Sequence, residues 1–200
     1  MPNWVYNHLS IKSPDNQART DLREKMKNGE RVFSFEAILP RPAEEEDNWY
    51  NWNSSNWGTK WDASDTVLVD ETDDAINYSF STAWSPPLPV LEAIARQYSD
   101  MTFTLTFEEE QGWGGIITAL DTKIEVVKQW DIPSTHADIL ERGGECYCLG
   151  NPDQRQYEDC FYFKAKDDPR VTPRMLEFVK ALSSTWEGTF EELISASTVL

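Results

Sequence analysis

Residues 101–107, Met-Thr-Phe-Thr-Leu-Thr-Phe, form the stretch that decides the fold of this chain. Threonines alternate there with apolar residues that share one face of an extended segment: Met101, Phe103, Leu105 and Phe107. Strict alternation with a period of two residues is typical of a half-buried β-strand. Residues 101–107 therefore predict a strand, and the segments on both sides of it predict the rest of the sheet.

The segments next to this strand predict a helix and three further strands. Ser85-Pro86-Pro87 predicts a helix start, because serine caps helices and proline is tolerated in the first turn. The apolar stripe of that helix consists of Leu88, Leu91, Ile94, Ala95 and Tyr98. Residues 75–82 alternate as a strand. Residues 112–120 and 123–130 predict a hairpin that turns at Asp121-Thr122.

The N-terminal part predicts a strand, a helix and a long insertion. Residues 3–12 alternate as a strand, with one slip in phase between Val5 and Leu9. Asp15 is the predicted cap of a helix whose apolar face consists of Ala18, Leu22 and Met26. Residues 43–66 are polar, rich in tryptophan and without helical periodicity. Two shorter elements are a strand edge or start of a buried stretch at 32–35, and a strand at 67–69.

The order strand, helix, strand, strand, helix, strand is that of the ferredoxin-like βαββαβ fold, an α+β fold with an antiparallel sheet, here with an added hairpin. The pattern beyond it predicts a helix at 135–142, strands at 145–149 and 160–164, a helix from Thr172 and a last helix with a capping box at Thr189. We therefore expect a domain over 1–131 that carries the insertion at 43–66. Residues 132–200 would form an α/β extension packed on it.

The chain has 200 residues, with 35 acidic and 18 basic side chains and a formal net charge of −17. The charge is not confined to a tail, because residues 1–100 hold 17 acids and residues 101–200 hold 18. A surface this negative excludes conventional nucleic-acid binding and disfavours anionic membranes. The sequence has no apolar run of 18 residues, and its start lacks a basic n-region. We therefore expect a cytoplasmic protein without a signal peptide or membrane span.

The cysteines and histidines predict no metal site and no catalytic triad. Cys146, Cys148 and Cys160 are too few for a disulfide framework. A zinc site would need His136 as the fourth ligand, and the Cys-x-Cys spacing differs from the usual knuckle, so buried or half-buried thiols are favoured. His8 and His136 lack a nucleophile motif, and we expect them to make structural hydrogen bonds. No cofactor is expected.

Acidic residues occur in clusters along the whole chain. Carboxylates spaced over a folded surface can imitate the phosphates of duplex DNA, although acidity can also serve solubility alone. Glu108 and Glu110 would share one strand face, as an acid/base pair or a metal site requires, but no further ligand has a defined spacing. The favoured interpretation is that these glutamates lie at a solvated strand end and do not form an active site. The candidate partner-binding carboxylates are Glu44, Glu45, Glu46, Asp47, Asp70, Glu71, Asp73, Asp74, Glu108, Glu109 and Glu110.

Residues 49–62 are the most unusual segment, because tryptophans there are interleaved with asparagines. Indoles in a loop can stack on bases or sugars while amides supply hydrogen bonds, or they can anchor a protein partner. The alternative is that Trp57 and Trp61, four residues apart, pin the loop to the sheet as a small core. The candidate aromatic binding residues are Trp49, Trp52, Trp57, Trp61 and Trp113.

Four segments resemble the ferredoxin-like domain of YubB-type proteins, which bacteriophages and conjugative plasmids carry. They read MPNWVYNHLSI (1–11), NWGTKWD (56–62), TAWSPPLPVLEAIARQY (82–98) and FTLTFEEEQGWGG (103–115). The resemblance covers residues 1 to about 130 and agrees with the βαββαβ prediction. It implies an accessory protein of a mobile element that works in the bacterial cytoplasm. It implies no mechanism, because no activity or set of catalytic residues defines the family.

These features favour a binding protein over an enzyme. The leading hypothesis is an acidic inhibitor that blocks a nucleic-acid-binding defence complex of the host, such as a restriction or CRISPR effector. Its carboxylates would contact Lys and Arg of the target, and the tryptophan segment would provide apolar anchors. The alternative is a protein that binds or sequesters a nucleotide or sugar on the tryptophan segment. Lys60 and Arg41 are the cations close to that segment in the sequence.

Overall fold

The computed structural model describes residues 2–142, 157, 159–182 and 186–198. The chain divides into two compact units, Met1–Ile132 and Pro133–Leu200. The large apolar core of the first unit runs from Val5 to Ala119 in the sequence. Smaller clusters of buried residues in the second unit lie between Ile139 and Ile194. Each unit therefore has a core of its own.

In the described part of the chain, the first unit is built on a six-stranded antiparallel sheet with the order β2-β3-β1-β4-β5-β6. Its strands are β1 (Trp4–Lys12), β2 (Ser64–Glu71), β3 (Ala75–Ala83), β4 (Thr102–Glu109), β5 (Gly114–Leu120) and β6 (Lys123–Trp130). The order β2-β3-β1-β4 is that of a ferredoxin-like sheet, and the β5–β6 hairpin extends it beyond β4. The predicted α+β fold and its added hairpin are confirmed.

In the first unit three helices lie between β1 and β2 and one lies between β3 and β4, and the described elements of the second unit are helices. Their bounds are α1 (Asn16–Lys25), α2 (Phe35–Ile38), α3 (Trp49–Asn56), α4 (Leu88–Gln97), α5 (His136–Glu141), α6 (Phe161–Lys166), α7 (Pro173–Leu182) and α8 (Phe190–Ser197). Asp15 caps α1 as predicted, because its carboxylate accepts from the Ala18 N–H at 3.0 Å. The predicted cap of α4 is wrong: Pro87 occupies that position, and the Ser85 hydroxyl donates to the Gly58 carbonyl.

One face of the sheet forms the core together with α1 and α4. Leu9 lies between Tyr78 of β3 and Leu105 of β4, and all three are buried. The apolar residues of β4 face this core as predicted, and α4 contributes Val90, Leu91, Ile94 and Ala95. The alternation in the sequence therefore marks the buried face correctly.

β1 has no slip in phase. Every second residue from Val5 to Ile11 faces the core, and Asn7 occupies one of these positions between Phe80 and Phe107. The Asn7 amide nitrogen donates to Thr82 Oγ1 and to the Val5 carbonyl, both at 2.9 Å. A buried amide is tolerated where such hydrogen bonds replace those to water. The slip in phase predicted between Val5 and Leu9 is wrong, because the polar residue Asn7 occupies a position that faces the core.

Residues 32–35 and 43–66 differ from their predicted structures. Ser34 precedes the short helix α2, and Asp62 Oδ1 accepts from the Phe35 N–H at 2.6 Å. The insertion contains a 3₁₀ turn, Ala43–Glu45, and the helix α3. A 2.7 Å hydrogen bond from the Trp57 N–H to the Asn53 carbonyl closes the last turn of α3. A helix this short, rich in asparagine and serine, lacks a readable apolar period and depends on such tertiary contacts.

The described part of the second unit contains the helices α5 to α8, and one of them replaces a predicted strand. Residues 160–164 do not form the predicted strand, because α6 begins at Phe161. A short aromatic run does not distinguish a strand from a helix by periodicity. The capping boxes at Thr135 of α5 and Thr189 of α8 are both present, so the Thr189 prediction is confirmed. The predicted strand 145–149, with Cys146 and Cys148, lies outside the described residues.

Within residues 2–142, 157, 159–182 and 186–198, no helix combines the length and the apolar character that crossing a membrane requires.

Candidate partner-binding surface

The tryptophan-rich segment has a buried side and an exposed side. Trp57 is only 2% exposed, and its indole N–H donates to the Leu39 carbonyl at 2.9 Å. Trp52 is half-buried and packs edge-on against Trp57, with ring centroids 5.6 Å apart. The pinning role is therefore correct for Trp57. Burial removes Trp57 from any surface that a ligand reaches, and Trp52 lies at the rim of the core.

The chain between Trp57 and Trp61 is attached to the end of β3. Gly58 has a φ of 79°, and a Cβ at this position would lie 2.6 Å from Cδ of Pro89, so glycine is required. The Thr59 hydroxyl donates to the Ala83 carbonyl at 2.8 Å and accepts from the Ala83 N–H at 3.0 Å. This pair of bonds places the next two residues of the segment beside the last residues of β3.

The exposed side of the segment surrounds one ammonium group. Lys60 Nζ lies 4.5 Å from the ring centroid of Trp61, 5.1 Å from that of Trp84 and 5.9 Å from that of Tyr50. Separations within about 6 Å are typical of cation–π attraction. Trp49 makes an edge-to-face contact with Tyr50 at 5.8 Å. We call Trp49, Tyr50, Lys60, Trp61 and Trp84 the Lys60 cluster.

The Lys60 cluster is accessible and contains backbone strain. Trp49 is 36% exposed, and Tyr50 and Trp84 are each 44% exposed. Trp84 also has a φ of 70°, in the left-handed region that bulky side chains rarely adopt. Its N–H donates to the Asn3 carbonyl at 2.9 Å, which helps to hold this conformation. Exposed aromatic rings beside a strained residue are characteristic of a binding site.

Arg41 and Lys60 have different roles. The Arg41 guanidinium donates to Asn53 Oδ1 at 3.0 Å and lies 6.0 Å from the Trp57 ring, so it stabilises the attachment of α3. Asn53 is buried, and its amide donates to the Lys60 carbonyl at 2.9 Å. This polar chain fixes the backbone of Lys60 and leaves its ammonium group among the rings of the cluster.

The sequence predicted part of the Lys60 cluster. Trp49 and Trp61 were among the candidate residues, but Tyr50 and Trp84 were not. Trp84 reaches the cluster from the end of β3, which tertiary structure alone brings close to Trp61. One signal was available: Trp84 belongs neither to the core-facing alternation of β3 nor to the stripe of α4, so the sequence offers no structural reason for an indole there.

The predicted acidic residues occupy three separate places. Residues 70–74 lie at the turn between β2 and β3, beside the end of β1. Residues 108–110 lie at the opposite end of the sheet, beside the start of β1. Residues 44–47 lie in and after the 3₁₀ turn that precedes α3. Strands of eight or nine residues separate the two ends of the sheet by about 25 Å.

Glu109 is buried, in contrast to its expected place at a solvated strand end. It is 2% exposed because the alternation of β4 continues past Phe107 and turns Glu109 toward the core. Its Oε2 accepts from the Gln111 N–H at 2.7 Å, and Oε1 has no hydrogen-bond partner within the described residues. Glu109 is therefore out of reach of a partner, whereas Glu108 and Glu110 on either side of it are exposed.

Two further candidate carboxylates have partners within the chain. Glu71 forms an ion pair with Arg23 at 2.5 Å, and this hydrogen bond raises the pKa of the Arg23 guanidinium. Asp70 accepts from the Asn77 amide at 2.5 Å. Most of the other candidates are exposed and have no ion pair within the described part of the chain: Glu44, Glu46, Asp47, Asp73, Asp74, Glu108 and Glu110.

Among the described residues, no three His, Cys, Asp or Glu side chains lie close enough together to hold a metal ion. Cys160 is buried. His8 is exposed on the face of the sheet that does not form the core. His136 is buried, and its ring nitrogens have no hydrogen-bond partner within the described residues, so these residues do not show the expected structural hydrogen bond of its side chain. Its backbone N–H donates to Asp159 at 2.7 Å.

A comparison with known proteins gives one family match, which covers most of the sheet. Residues 56–145 match the family model of the ferredoxin-like domain in Api92-like protein. The match begins at the end of α3, covers β2 to β6 and agrees with the observed ferredoxin-like fold. It includes Lys60, Trp61 and Trp84 of the Lys60 cluster. No curated protein and no solved structure matches the chain significantly.

Proposed function

We propose that this chain is an acidic binding protein that occupies the cationic surface of a nucleic-acid-handling protein. The observation that carries the proposal is the separation of exposed carboxylates between two ends of one rigid sheet. The distance of about 25 Å between these ends corresponds to roughly seven phosphates along one strand of duplex DNA. A groove that binds DNA would therefore meet negative charge on this protein at two places whose separation matches that of phosphates about seven nucleotides apart.

The charge of the whole chain supports fast association with such a target. A net charge of −17 attracts a cationic groove over several ångströms and raises the association rate at low salt. Because the exposed carboxylates named above have no ion pair in the described part of the chain, contact with Lys or Arg of a target breaks no existing pair there. Their backbone is already held in strands, turns and a 3₁₀ turn, so binding has to order the side chains and not the main chain.

The Lys60 cluster supplies apolar anchors for the same partner. Charged contacts at a rim contribute mainly to rate and specificity, whereas a few buried aromatic side chains carry most of the affinity. Trp49, Tyr50 and Trp84 are already exposed and are held by contacts with each other and with Lys60. Their burial against a partner would desolvate rings that the isolated protein leaves in water.

We further propose, from the resemblance to phage and plasmid proteins, that the target is a defence complex in the cytoplasm of a bacterial host. The full chain, immobilised and exposed to a host lysate at low salt, should retain a nucleic-acid-binding protein and release it as salt increases. Added duplex DNA should compete for the retained protein. Retention that ignores both salt and DNA, or no retention of any nucleic-acid-binding protein, would overturn the proposal.

A matched pair of variants locates the contact. Neutralising Asp73, Glu108 and Glu110 to Asn, Gln and Gln removes exposed charge at both ends of the sheet and should weaken retention several-fold. The control neutralises the same number of exposed carboxylates in the second unit: Asp167, Glu177 and Glu187. A similar loss in both variants would show that net charge alone, and not this surface, determines retention.

A second candidate function is the binding of a nucleotide or sugar at the Lys60 cluster. The observation that favours it is the position of the Lys60 ammonium among three aromatic rings, which offers stacking faces and a cation together. Tryptophan fluorescence titration with mononucleotides and monosaccharides tests this function. Quenching that saturates in the wild type and disappears in Lys60→Met is expected. Titrations without quenching and an unchanged melting temperature would exclude it.

A further inference from the structure

The Lys60 cluster has the geometry of an aromatic cage that already contains a cation. Its walls are rings from three separate places in the chain: Tyr50 of α3, Trp61 of the segment after α3, and Trp84 directly after β3. The three ring centroids lie 4.5, 5.1 and 5.9 Å from Lys60 Nζ. Rings that surround an ammonium group in this way are the sites at which proteins bind quaternary ammonium ligands. In this cage the cation is a side chain of the protein itself.

The walls of the cage are held by contacts that do not involve the ammonium group. Trp61 packs against Trp4 of β1, with ring centroids 6.1 Å apart. The Trp84 N–H donates at 2.9 Å to a backbone carbonyl that precedes β1, and the Trp84 ring contacts the Tyr50 ring edge-on at 6.5 Å. The cage should therefore keep its shape when the ammonium group leaves it.

The Lys60 side chain is held in the cage by the rings alone. Within the described residues its ammonium group has no ion pair and no hydrogen bond, only the three ring contacts. The backbone of Lys60 is fixed separately, because the Asn53 amide donates to its carbonyl at 2.9 Å. A flexible four-carbon stem joins this fixed backbone to the ammonium group. The side chain can therefore turn out into solvent without moving the walls.

A cation from outside the chain can compete with Lys60 for the rings. A primary ammonium group is strongly hydrated, and among the rings it gives up part of that water without gaining a carboxylate. A quaternary ammonium group carries the same charge on methyl groups that pack against rings, and it has no N–H donors to leave unpaired. The net charge of −17 concentrates cations around the chain and opposes anionic ligands.

We propose that the Lys60 cluster binds a trimethylammonium group and that Lys60 fills the site in its absence. The group belongs either to a small molecule of the choline type or to a trimethylated lysine side chain. On binding, the ammonium group of Lys60 moves into solvent, and the cation of the ligand takes its place among the rings. The inference goes beyond the proposed function, because it depends neither on the exposed carboxylates nor on a nucleic-acid-handling partner.

Removal of the Lys60 side chain should strengthen the binding of choline. In the wild type the cage is open only in the fraction of molecules whose Lys60 has turned out, and the apparent affinity is reduced by that fraction. Lys60→Ala empties the cage, and the dissociation constant of choline should fall about tenfold. Lys12→Ala is the matched control, because it removes the same charge from an exposed position at the other end of β1. Equal strengthening by both variants would show that binding follows net charge and not the cage.

The measurement is an NMR titration of the full chain with ¹⁵N-labelled tryptophans. In Lys60→Ala the indole signals of Trp61 and Trp84 should shift in a saturable way with choline. They should hardly shift with its neutral isostere, in which carbon replaces the ammonium nitrogen. The signal of Trp57, which is buried in the core, should stay in place. Equal shifts with both compounds, or no saturable shift with choline, would overturn the proposal.

The displacement of Lys60 has a signal of its own in the wild type. Methylene protons that lie against aromatic rings resonate upfield of their ordinary positions, and those of Lys60 should do so in the free protein. Saturating choline should return them to ordinary positions as the side chain enters solvent. Ordinary positions before choline is added, or upfield positions that persist at saturation, would contradict the exchange.

A trimethyllysine peptide distinguishes the two sources of the ligand, with the same unmodified lysine peptide as its control. Tighter binding of the trimethylated peptide than of free choline assigns the site to a protein partner, and the reverse order assigns it to a small molecule. A peptide that binds equally well with and without the methyl groups, together with no binding of choline, would exclude the site.

The sign of the Lys60 effect separates this inference from the functions proposed above. A nucleotide or sugar that uses the ammonium group loses binding when Lys60 is replaced, whereas a trimethylammonium ligand gains it. Retention of a nucleic-acid-binding partner tests the acidic surface alone. Failure of that retention leaves the cage unaffected, and failure of choline binding leaves the acidic surface unaffected.

Discussion

At the scale of single residues, the two sides of the segment 49–61 divide the tryptophans by role. Trp57 fills the core, and its indole N–H is bonded to the Leu39 carbonyl. Trp49 lies at the surface and contacts Tyr50 at its edge. The same side chain therefore stabilises the fold in one position and offers a binding surface in the other.

Trp57→Ala and Trp49→Ala should therefore separate stability from binding. The cavity left by Trp57→Ala should reduce the free energy of unfolding by about 3–5 kcal/mol. Trp49→Ala should change the free energy of unfolding by no more than about 0.5 kcal/mol, because a surface ring loses few contacts. Urea denaturation of both variants measures this. Equal destabilisation would mean that the exposed side of the segment is also structural.

Tyr78 is a residue whose substitution should increase the free energy of unfolding. Its hydroxyl is buried without a hydrogen-bond partner in the described part of the chain, and burial raises the pKa of this phenol. Tyr78→Phe removes an unpaired polar atom and should increase the free energy of unfolding by about 1 kcal/mol. Thermal and urea unfolding measure the change. A loss of stability would show that the hydroxyl has a partner, such as a buried water molecule.

At the scale of elements, the first turn of α5 concentrates hydrogen bonds on one carboxylate. The backbone N–H groups of Ser134 and Thr135 both donate to Asp138 at 2.8 Å. These bonds lower the pKa of Asp138 to about 2. A carboxyl group whose pKa is lowered in the folded state stabilises the fold above its ordinary pKa and loses that effect as it becomes protonated.

The helix α5 should therefore become less stable only in strong acid. The contribution of Asp138 is complete above about pH 4 and disappears as the pH falls toward 2. The midpoint of the Asp138 carboxyl signal in an NMR titration measures the pKa, and amide exchange in α5 measures the effect on the helix. Asp138→Asn should remove this acid dependence, whereas Glu187→Gln, an exposed position outside the cap, should retain it. A midpoint near pH 4 would contradict the prediction.

The contrast between α3 and α4 shows which elements a sequence reveals. α4 has an apolar stripe that recurs with the helical period, and its residues face the core as predicted. α3 has no such stripe and ends where the Trp57 and Gly58 N–H groups both donate to the Asn53 carbonyl. Local periodicity is sufficient for an element that buries one face, whereas an element held by individual polar contacts is visible only in three dimensions.

At the scale of the whole molecule, each unit buries its own apolar residues. Every buried residue of the large core comes from the first 119 positions, and the remaining clusters come from residues 139 onward. A domain that owns its core is able to fold alone. We therefore expect that the two units on either side of the division after Ile132 fold independently of each other.

The fragment of residues 1–132 should fold without the rest of the chain. Its β-sheet signal in circular dichroism and its cooperative unfolding should resemble those of the first unit in the full chain, because no buried residue of the large core is removed. Denaturant titration of the fragment and of the full chain, followed by tryptophan fluorescence, tests this prediction. A fragment that unfolds without cooperativity would show that the first unit depends on residues 133–200.

The sequence by itself determined the strands, their order and most of the core of the first unit. The alternation in β3 and β4, the stripe of α4 and the turn at Asp121-Thr122 are local, and each requires only neighbours in the chain. Strands of this length with one apolar face have few ways to pair, so local pattern led to the correct ferredoxin-like order.

Tertiary structure alone decided that two polar residues of the strands face inward and that Trp84 joins the Lys60 cluster. Asn7 and Glu109 are buried because strand pairing places every second residue in the core, whatever its polarity. Trp84 joins Lys60 and Trp61 because Thr59 ties the segment to the end of β3. Burial and proximity depend on contacts between distant parts of the chain, and side-chain type and spacing do not encode those contacts directly.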